Sequence, residues 1–341
     1  MSQTVLLTGV TGFIARHIAA KLLNAGYAVR GTLRDPARAE EVRDAIRPEL
    51  LNKDLPEQRL SFVPLDLARD EGWIEALMGV NILMHTASPF PLSQPDDEEE
   101  LIRPAVDGTL RALEAARAAG VKRVVMTSST AAVTSGAAPD GRPFDERDWT
   151  DLEHPVTTPY NKSKTLAEQA AWDFVTANPE IELTVINPGF VLGKPLGDDW
   201  NTSVQVIDRI VQSKDPMLPH FGFATVDVGD VAEMHLRALE RPETAGKRYL
   251  AVSEFLWFTE IAEIIAKAFP DRKITTRQAP NWVVRILALF DRTVRQLVPV
   301  LDRKDSVSNE RAKTEMEMTF RPVRDAVIDT ATAVIEAGRA S

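Results

Sequence analysis

The stretch "TVLLTGVTGFIARHIAAKLLNAGYAVRGTLRDP", residues 4–36, decides the fold. Its opening run, 4–8, is short, apolar and free of alternation, the pattern of a strand buried on both faces. Over 13–25, Phe13, Ile14, Ile18, Leu22 and Leu23 recur at helical spacing, and Gly26 stands where a helix C-cap is expected. A second strand, "YAVRGTL" (27–33), follows at once. Strand, helix and strand in this order make a βαβ unit, whose strands are parallel. Between the first strand and the helix lies "TGVTGFIA" (8–15), a glycine-rich turn that lets backbone N–H groups approach a pyrophosphate at the helix N-terminus. Gly9 suits the tight turn and Gly12 the close backbone approach, while Ala15 occupies the place of a third, helix-packing glycine.

The same rhythm runs on through "LSFVPLD" (60–66), "NILMHTA" (81–87), "RVVMTSS" (123–129) and "LTVINP" (183–188), with helical segments at 109–119 and 161–177. This predicts an α/β fold, a doubly wound parallel sheet covered on both faces, whose ligands sit beyond the carboxyl ends of the strands. After Pro188 the pattern loosens into "GFVLGKPLGDDWN" (189–201), where a smaller, mostly α-helical substrate lobe begins. The expected division is 1–188, with 226–252 returning to the sheet, against 189–225 and 253–341. The acidic run "DDEEE" (96–100) reads as a solvated loop and a first helical turn. "NWVVRILALFD" (281–291), interrupted by Arg285, reads as a core helix.

The 341 residues carry 40 Lys and Arg against 50 Asp and Glu, a net charge of −10 that argues against nucleic acid as a partner. There is no cysteine, which excludes disulfides and thiolate catalysis. No apolar run approaches the roughly 20 residues needed to span a bilayer, and the first strand follows Met1 so closely that no leader segment is expected. A cytoplasmic protein with no membrane partner is the expectation. The histidines, at 17, 85, 154, 220 and 235, are too scattered for a local zinc motif, and no metal is expected.

The end of the second strand selects the dinucleotide. Arg34 stands 22 residues beyond Gly12, where an NAD-preferring site would place a carboxylate for the ribose hydroxyl. A guanidinium there grips a 2′-phosphate, which favours NADPH, and Arg38 could add a second positive charge. Adjacent Asp35 keeps NADH as the alternative. Asp66, ending the third strand, could accept from the adenine amino group or serve only as a turn residue.

"PYNKSKTLAEQ" (159–169) supplies the chemistry. Tyr160 and Lys164 are four apart, hence on one helix face, whereas Lys162 falls off it. An ordinary phenol, with a pKa of roughly 10, is a poor proton donor at neutral pH; a neighbouring ammonium favours the phenolate and brings Tyr160 toward the working range. "TSSTAAV" (127–133) adds the hydroxyls of Ser128, Ser129 and Thr130 at the same sheet edge.

Taken together, "TGVTGFIA", "LRDP", "TSS", "PYNKSKTLAE" and "NPGFVLG" resemble the extended branch of the short-chain dehydrogenases/reductases, with a Rossmann-type cofactor domain. The nearest likeness is to dihydroflavonol reductases, cinnamoyl-CoA reductases and microbial NADPH-dependent aldehyde and ketone reductases. The resemblance implies a Ser–Tyr–Lys triad at Ser129, Tyr160 and Lys164. It places the cofactor against Gly9, Thr11, Gly12, Phe13, Ile14, Arg34 and Arg38. Further contacts are expected at Asp66, Leu67, Thr86, Ala87, Ser88 and Thr127, with Tyr160, Lys164, Pro188, Gly189 and Val191 nearer the nicotinamide. Asp107 replaces an asparagine common in the family, and Asp230 matches an aspartate expected to fasten the lobes together. The implied activity is reduction of a small carbonyl substrate, an aldehyde or ketone, by a monomer or homodimer. Phe90, Phe190, Trp200, Phe221 and Phe223 are candidates for the substrate pocket. The alternatives are a sugar-nucleotide epimerase or dehydratase, a CoA-thioester reductase, and a non-catalytic dinucleotide-binding redox sensor.

Overall fold

The structure is a computed structural model that describes residues 3–53, 59–88, 97–137, 139, 141–197 and 200–338. Its strands are β1 (Thr4–Leu7), β2 (Ala28–Leu33), β3 (Leu60–Pro64), β4 (Ile82–His85), β5 (Arg123–Thr127), β6 (Glu182–Pro188), β7 (Phe190–Leu192), β8 (Gly222–Asp227), β9 (Lys247–Ala251) and β10 (Glu254–Trp257). The helices are α1 (Phe13–Asn24), α2 (Ala39–Ile46), α3 (Trp73–Leu77), α4 (Glu99–Ala118), α5 (Pro159–Ala177) and α6 (Thr202–Val211). The remainder are α7 (Val228–Glu240), α8 (Phe258–Ala268), α9 (Asn281–Leu287), α10 (Arg292–Leu297), α11 (Glu310–Glu315) and α12 (Val323–Glu336).

Seven strands form one parallel sheet in the order β3-β2-β1-β4-β5-β6-β9, which is the doubly wound α/β fold expected from the sequence. The period-2 geometry of a strand explains why both faces are apolar. Val5 and Leu7 point into a core built with Ile18 and Leu22 of α1 and Val231 and Met234 of α7. Leu6, between them, points into the opposite core with Leu113 of α4, Ala171 of α5 and Trp73 of α3. Strand order reverses between β2-β1 and β4-β5, so connections diverge and leave a crevice at the carboxyl ends of β1 and β4.

A second sheet, β10-β8-β7, stands beside the first and shares a core with α6, α8 and α12, through Ile207, Ile261 and Val327 among others. β9 pairs with β6 in the main sheet, and Ala312, Met316 and Met318 also pack into the main core. Asp230 accepts the Arg321 N–H at 2.8 Å and thereby ties α7 to the C-terminal segment.

Two elements differ from the expectation. α4 begins at Glu99, a full ten residues before 109, and runs through Pro104, so the acidic run does lead into a helix but a longer one. The segment 281–291 is not a core helix: Val284 and Ala288 are buried, but Trp282, Ile286, Leu287, Leu289 and Phe290 are exposed. The lobe interior is already filled by α6, α8 and α12, which leaves α9 only an outer edge.

Candidate active site

A cleft of about 640 Å³ opens at the carboxyl ends of β1, β2 and β4, lined by Gly9, Thr11, Gly12, Arg34, Asp66, Leu67, Thr86, Ala87 and Ser88 among others. Gly9 holds φ +66°, and a Cβ there would lie 2.9 Å from the Ala87 Cβ, so this turn requires glycine on both counts. The Gly12 N–H donates to the Gly9 carbonyl at 2.9 Å, and no side chain caps α1, which leaves the first-turn N–H groups directed at the cleft. That combination is a ready anion site, and it fits a dinucleotide pyrophosphate. Two residues missed in the sequence hold the cradle together. The Thr8 hydroxyl oxygen accepts the Thr86 and Ala87 N–H groups, each at 3.0 Å, and the Thr32 hydroxyl oxygen accepts the Gly9 N–H at 3.0 Å. Their signal was a hydroxyl at or near the carboxyl end of each of the first two strands.

Arg34 lines the cleft, whereas Asp35 turns away to cap the short turn at Pro36–Arg38 by accepting the Ala37 N–H at 3.0 Å. Arg38 is not among the residues that line this cleft. Its guanidinium makes a two-point pair with Glu41 at 2.8 and 2.9 Å, beside the buried Arg16 that holds the same carboxylate at 2.5 Å. The Arg38 and Arg16 guanidiniums keep Glu41 down at about 2, well below the usual carboxylate range. Asp66 accepts the Ala68 N–H at 3.0 Å in a turn and also lines the cleft.

Two other expected contacts have their side chains elsewhere: Phe13 is buried in the main core, and the Thr127 hydroxyl is bonded at 2.7 Å to Nε2 of the buried His235. Ile14, Pro188, Gly189 and Val191 border a second cavity.

This second cavity, of about 690 Å³, is where α5 delivers Tyr160. Thr158 and Asn161 form a capping box, and Pro159 occupies the first helical position, so Tyr160 is fixed in the first turn at the cavity wall. The Ser129 hydroxyl hydrogen-bonds the Tyr160 phenol and lies 3.5 Å from the Pro188 carbonyl. Ser128 donates instead to the buried Glu168 at 2.6 Å, so of the two adjacent serines it is Ser129 that meets Tyr160. Lys164 Nζ donates to the Ser88 hydroxyl at 2.9 Å, at the cofactor cleft, and sits 5.8 Å from the centre of the Tyr160 ring. Lys162 is drawn off to Glu98 at 2.9 Å.

Burial dominates the electrostatics here. It lowers the Lys164 ammonium to about 8, against the opposing pull of Glu168, and lowers His85 to about 4 with help from the Lys164 charge, so His85 is neutral at pH 7. Burial also raises the Tyr160 phenol, opposed only by the Ser129 hydrogen bond. The lowering of Tyr160 expected from Lys164 does not appear: burial prevails, and the opposing cause is the Ser129 hydroxyl.

Phe190, Trp200 and Phe223 line the cavity, with Phe190 and Phe223 stacked at 4.1 Å, and Phe255, Gln205, Asn161 and Asp305 join them. Phe221 supports the wall from behind, edge-on to Phe223 at 5.1 Å. Phe90 lies outside the described residues. Among the described residues no group of three or more His, Asp or Glu could hold a metal, and no helix is long and apolar enough to cross a membrane.

A doubly wound sheet with a glycine cradle at its first turn and a Ser, Tyr and Lys gathered at the adjoining edge defines an extended short-chain dehydrogenase/reductase. Residues 5–251 match the model of the NAD dependent epimerase/dehydratase family, and the chain belongs to that family. It is 31% identical to a cinnamoyl-CoA reductase of Medicago truncatula over 345 residues, covering 98% of this chain and 97% of that one. A tetraketide alpha-pyrone reductase of Arabidopsis thaliana is 34% identical over 278 residues, 80% of this chain and 83% of that one. Among solved structures, yeast methylglyoxal/isovaleraldehyde reductase Gre2 complexed with NADPH superposes with a TM-score of 0.82 at 26% identity, covering 99% and 100% of the two chains.

Proposed function

We propose that this chain is an NADPH-dependent carbonyl reductase that converts an aldehyde or ketone to an alcohol. The observation that carries the reading is the meeting of Ser129, Tyr160 and Lys164 where the cofactor cleft and the aromatic-walled cavity adjoin. Bound NADPH would supply a hydride from C4 of its nicotinamide. The first turn of α1 would hold the pyrophosphate and Arg34 the 2′-phosphate, while Asp66 and Leu67 border the adenine end. Ser129 would donate a hydrogen bond to the carbonyl oxygen and the Tyr160 phenol would give its proton to the oxygen as negative charge develops there. Lys164, anchored by Ser88, would bind the nicotinamide ribose and favour the phenolate left behind. In this reading 1–188 with 226–252 forms the cofactor half, and 189–225 with 253–341 forms the substrate lobe, part of which packs back on the main core.

The relatives that are named cinnamoyl-CoA reductases make a thioester the second substrate class to test. The test is NADPH oxidation, followed by loss of its absorbance, with a panel of aldehydes, ketones and acyl-CoA thioesters. Turnover of aldehydes or ketones is the expected result. Turnover of thioesters alone would reassign the substrate, and NADPH binding without turnover of any member would favour the redox sensor.

A further inference from the structure

Glu168 lies one turn beyond Lys164 on α5, fully buried, and its carboxylate gathers four elements. Oε2 accepts the Ser128 hydroxyl of the segment after β5 at 2.6 Å and the Asn187 side-chain amide of β6 at 2.6 Å. Oε1 accepts the Trp172 indole N–H at 3.3 Å and lies 2.8 Å from Nε of Arg248 on β9, an ion pair off the line of a hydrogen bond. Arg248 is itself buried, its guanidinium 3.9 Å over the Trp149 ring and donating to the Asp148 carbonyl at 3.0 Å. A buried ion pair is a weak source of stability, because desolvating both charges offsets their attraction. Its placement points to another use. Ser128 precedes Ser129, and the same Asn187 amide that binds Glu168 also donates to the Ser129 carbonyl at 3.1 Å. Asn187 in turn precedes Pro188, whose carbonyl is the neighbour of the Ser129 hydroxyl.

We propose that Glu168 is a positioning residue for the reduction: through Ser128 and Asn187 it fixes the backbone that aims the Ser129 hydroxyl, and it supplies the negative charge facing Lys164 from one turn along α5. This rests on the reductase reading of the site. The charge is felt at Lys164, where Glu168 is the group that opposes desolvation and favours the ammonium. Among the described residues, the other groups about Lys164 are Tyr160 on its own helix, Ser88 after β4, and His85 on β4, which is neutral at pH 7. Arg248 faces Glu168 from β9, with Glu146 and Arg311 beyond it. None of these others brings a second carboxylate to Lys164.

The test compares wild type, Glu168→Gln, the charge-balanced pair Glu168→Gln with Arg248→Gln, and the conservative Glu168→Asp. Folding is followed by circular dichroism and NADPH affinity by nucleotide fluorescence. Turnover should fall by about 10-fold or more, with substrate KM and NADPH affinity within about 3-fold, because misaimed groups cost rate more than binding. The alkaline limb of the pH profile should move down by about half a unit or more, with partial return in Glu168→Asp. A second readout needs no turnover: the pH midpoint for chemical labelling of the Lys164 amine, followed by mass spectrometry, should fall in the glutamine variants. Folded variants with unchanged turnover and an unchanged labelling midpoint would overturn the proposal. Wild type that turns over no carbonyl would overturn the reductase reading instead, while a shifted midpoint would still support the link between Glu168 and Lys164. If the glutamine variants do not fold, Ser128→Ala tests the other half. It should lower turnover about 3- to 10-fold without moving the pH limb, and unaltered turnover would overturn it.

Discussion

Replacing Arg34 by Asp should convert a chain that prefers NADPH into one that does not. Arg34 directly follows β2, lines the cofactor cleft and is exposed, while the neighbouring Asp35 is occupied as a turn cap. Two unit charges about 4 Å apart attract by roughly 4 kcal/mol at an effective dielectric constant near 20. Solvent screening at an exposed position reduces this to about 1.5–2 kcal/mol, charge-assisted hydrogen bonds included, or about 10- to 30-fold in affinity. Aspartate also adds a repulsion of similar size against a 2′-phosphate, so the NADPH-to-NADH affinity ratio should fall by about two orders of magnitude, and by about 10- to 30-fold in Arg34→Ala. NADH, which lacks that phosphate, should bind either variant nearly as it binds wild type. Nucleotide fluorescence titration measures both affinities, and repeating it at high salt should narrow the difference. A ratio that moves by less than about 3-fold in both variants would refute the reasoning, since it exceeds none of the energies above. Arg38→Ala is the control: with its guanidinium held by Glu41, it should change the ratio little.

Tyr160→Phe should lower turnover by about 10²–10⁴-fold while NADPH affinity stays within about 2-fold, because it removes a proton donor and leaves the cofactor contacts in place; retained turnover would sink the proton-delivery role. Gly189→Ala should lower the melting temperature. Its new Cβ would lie 2.1 Å from the Ala224 carbonyl oxygen of β8, a backbone atom that can yield only if β7 and β8 separate. Overpacking of this kind costs about 1–3 kcal/mol, and an unchanged melting curve would show that the two strands part freely. Asp230 is pushed up to about 6, by burial first, so the folded state holds a proton that the unfolded state releases. Its contribution to stability is therefore largest in acid and is lost as pH rises through about 6. Denaturant midpoints of wild type relative to Asp230→Asn should fall between about pH 4 and pH 7; a constant difference would refute the shift.

Much of the cofactor half was legible because local patterns and tertiary demands agree there. Val5, Leu6 and Leu7 are apolar in succession because both sides of the sheet are covered. Gly9 is readable because its turn leaves no room for another residue. The segment 281–291 was misread for the opposite reason. An apolar run records the capacity to be buried, and whether Trp282 or Phe290 finds a partner depends on space already taken by other helices. The acidic run marked the first turn of α4, and Pro104 stays inside that helix because packing against the sheet overrides the local penalty of one proline.

By itself the sequence determined the parallel sheet, the phosphate cradle, the arginine at the end of β2 and the pairing of Tyr160 with Lys164, all of which follow from short-range spacing. Only the tertiary structure decided which serine meets Tyr160, that Arg38 answers to Glu41, and that Thr8 and Thr32 pin the cradle. It also revealed Glu168 at the junction of α5, β5, β6 and β9. Those outcomes depend on which donor reaches an acceptor across elements far apart in the chain, and on how much water is left between them. Spacing along a strand or helix carries no record of either.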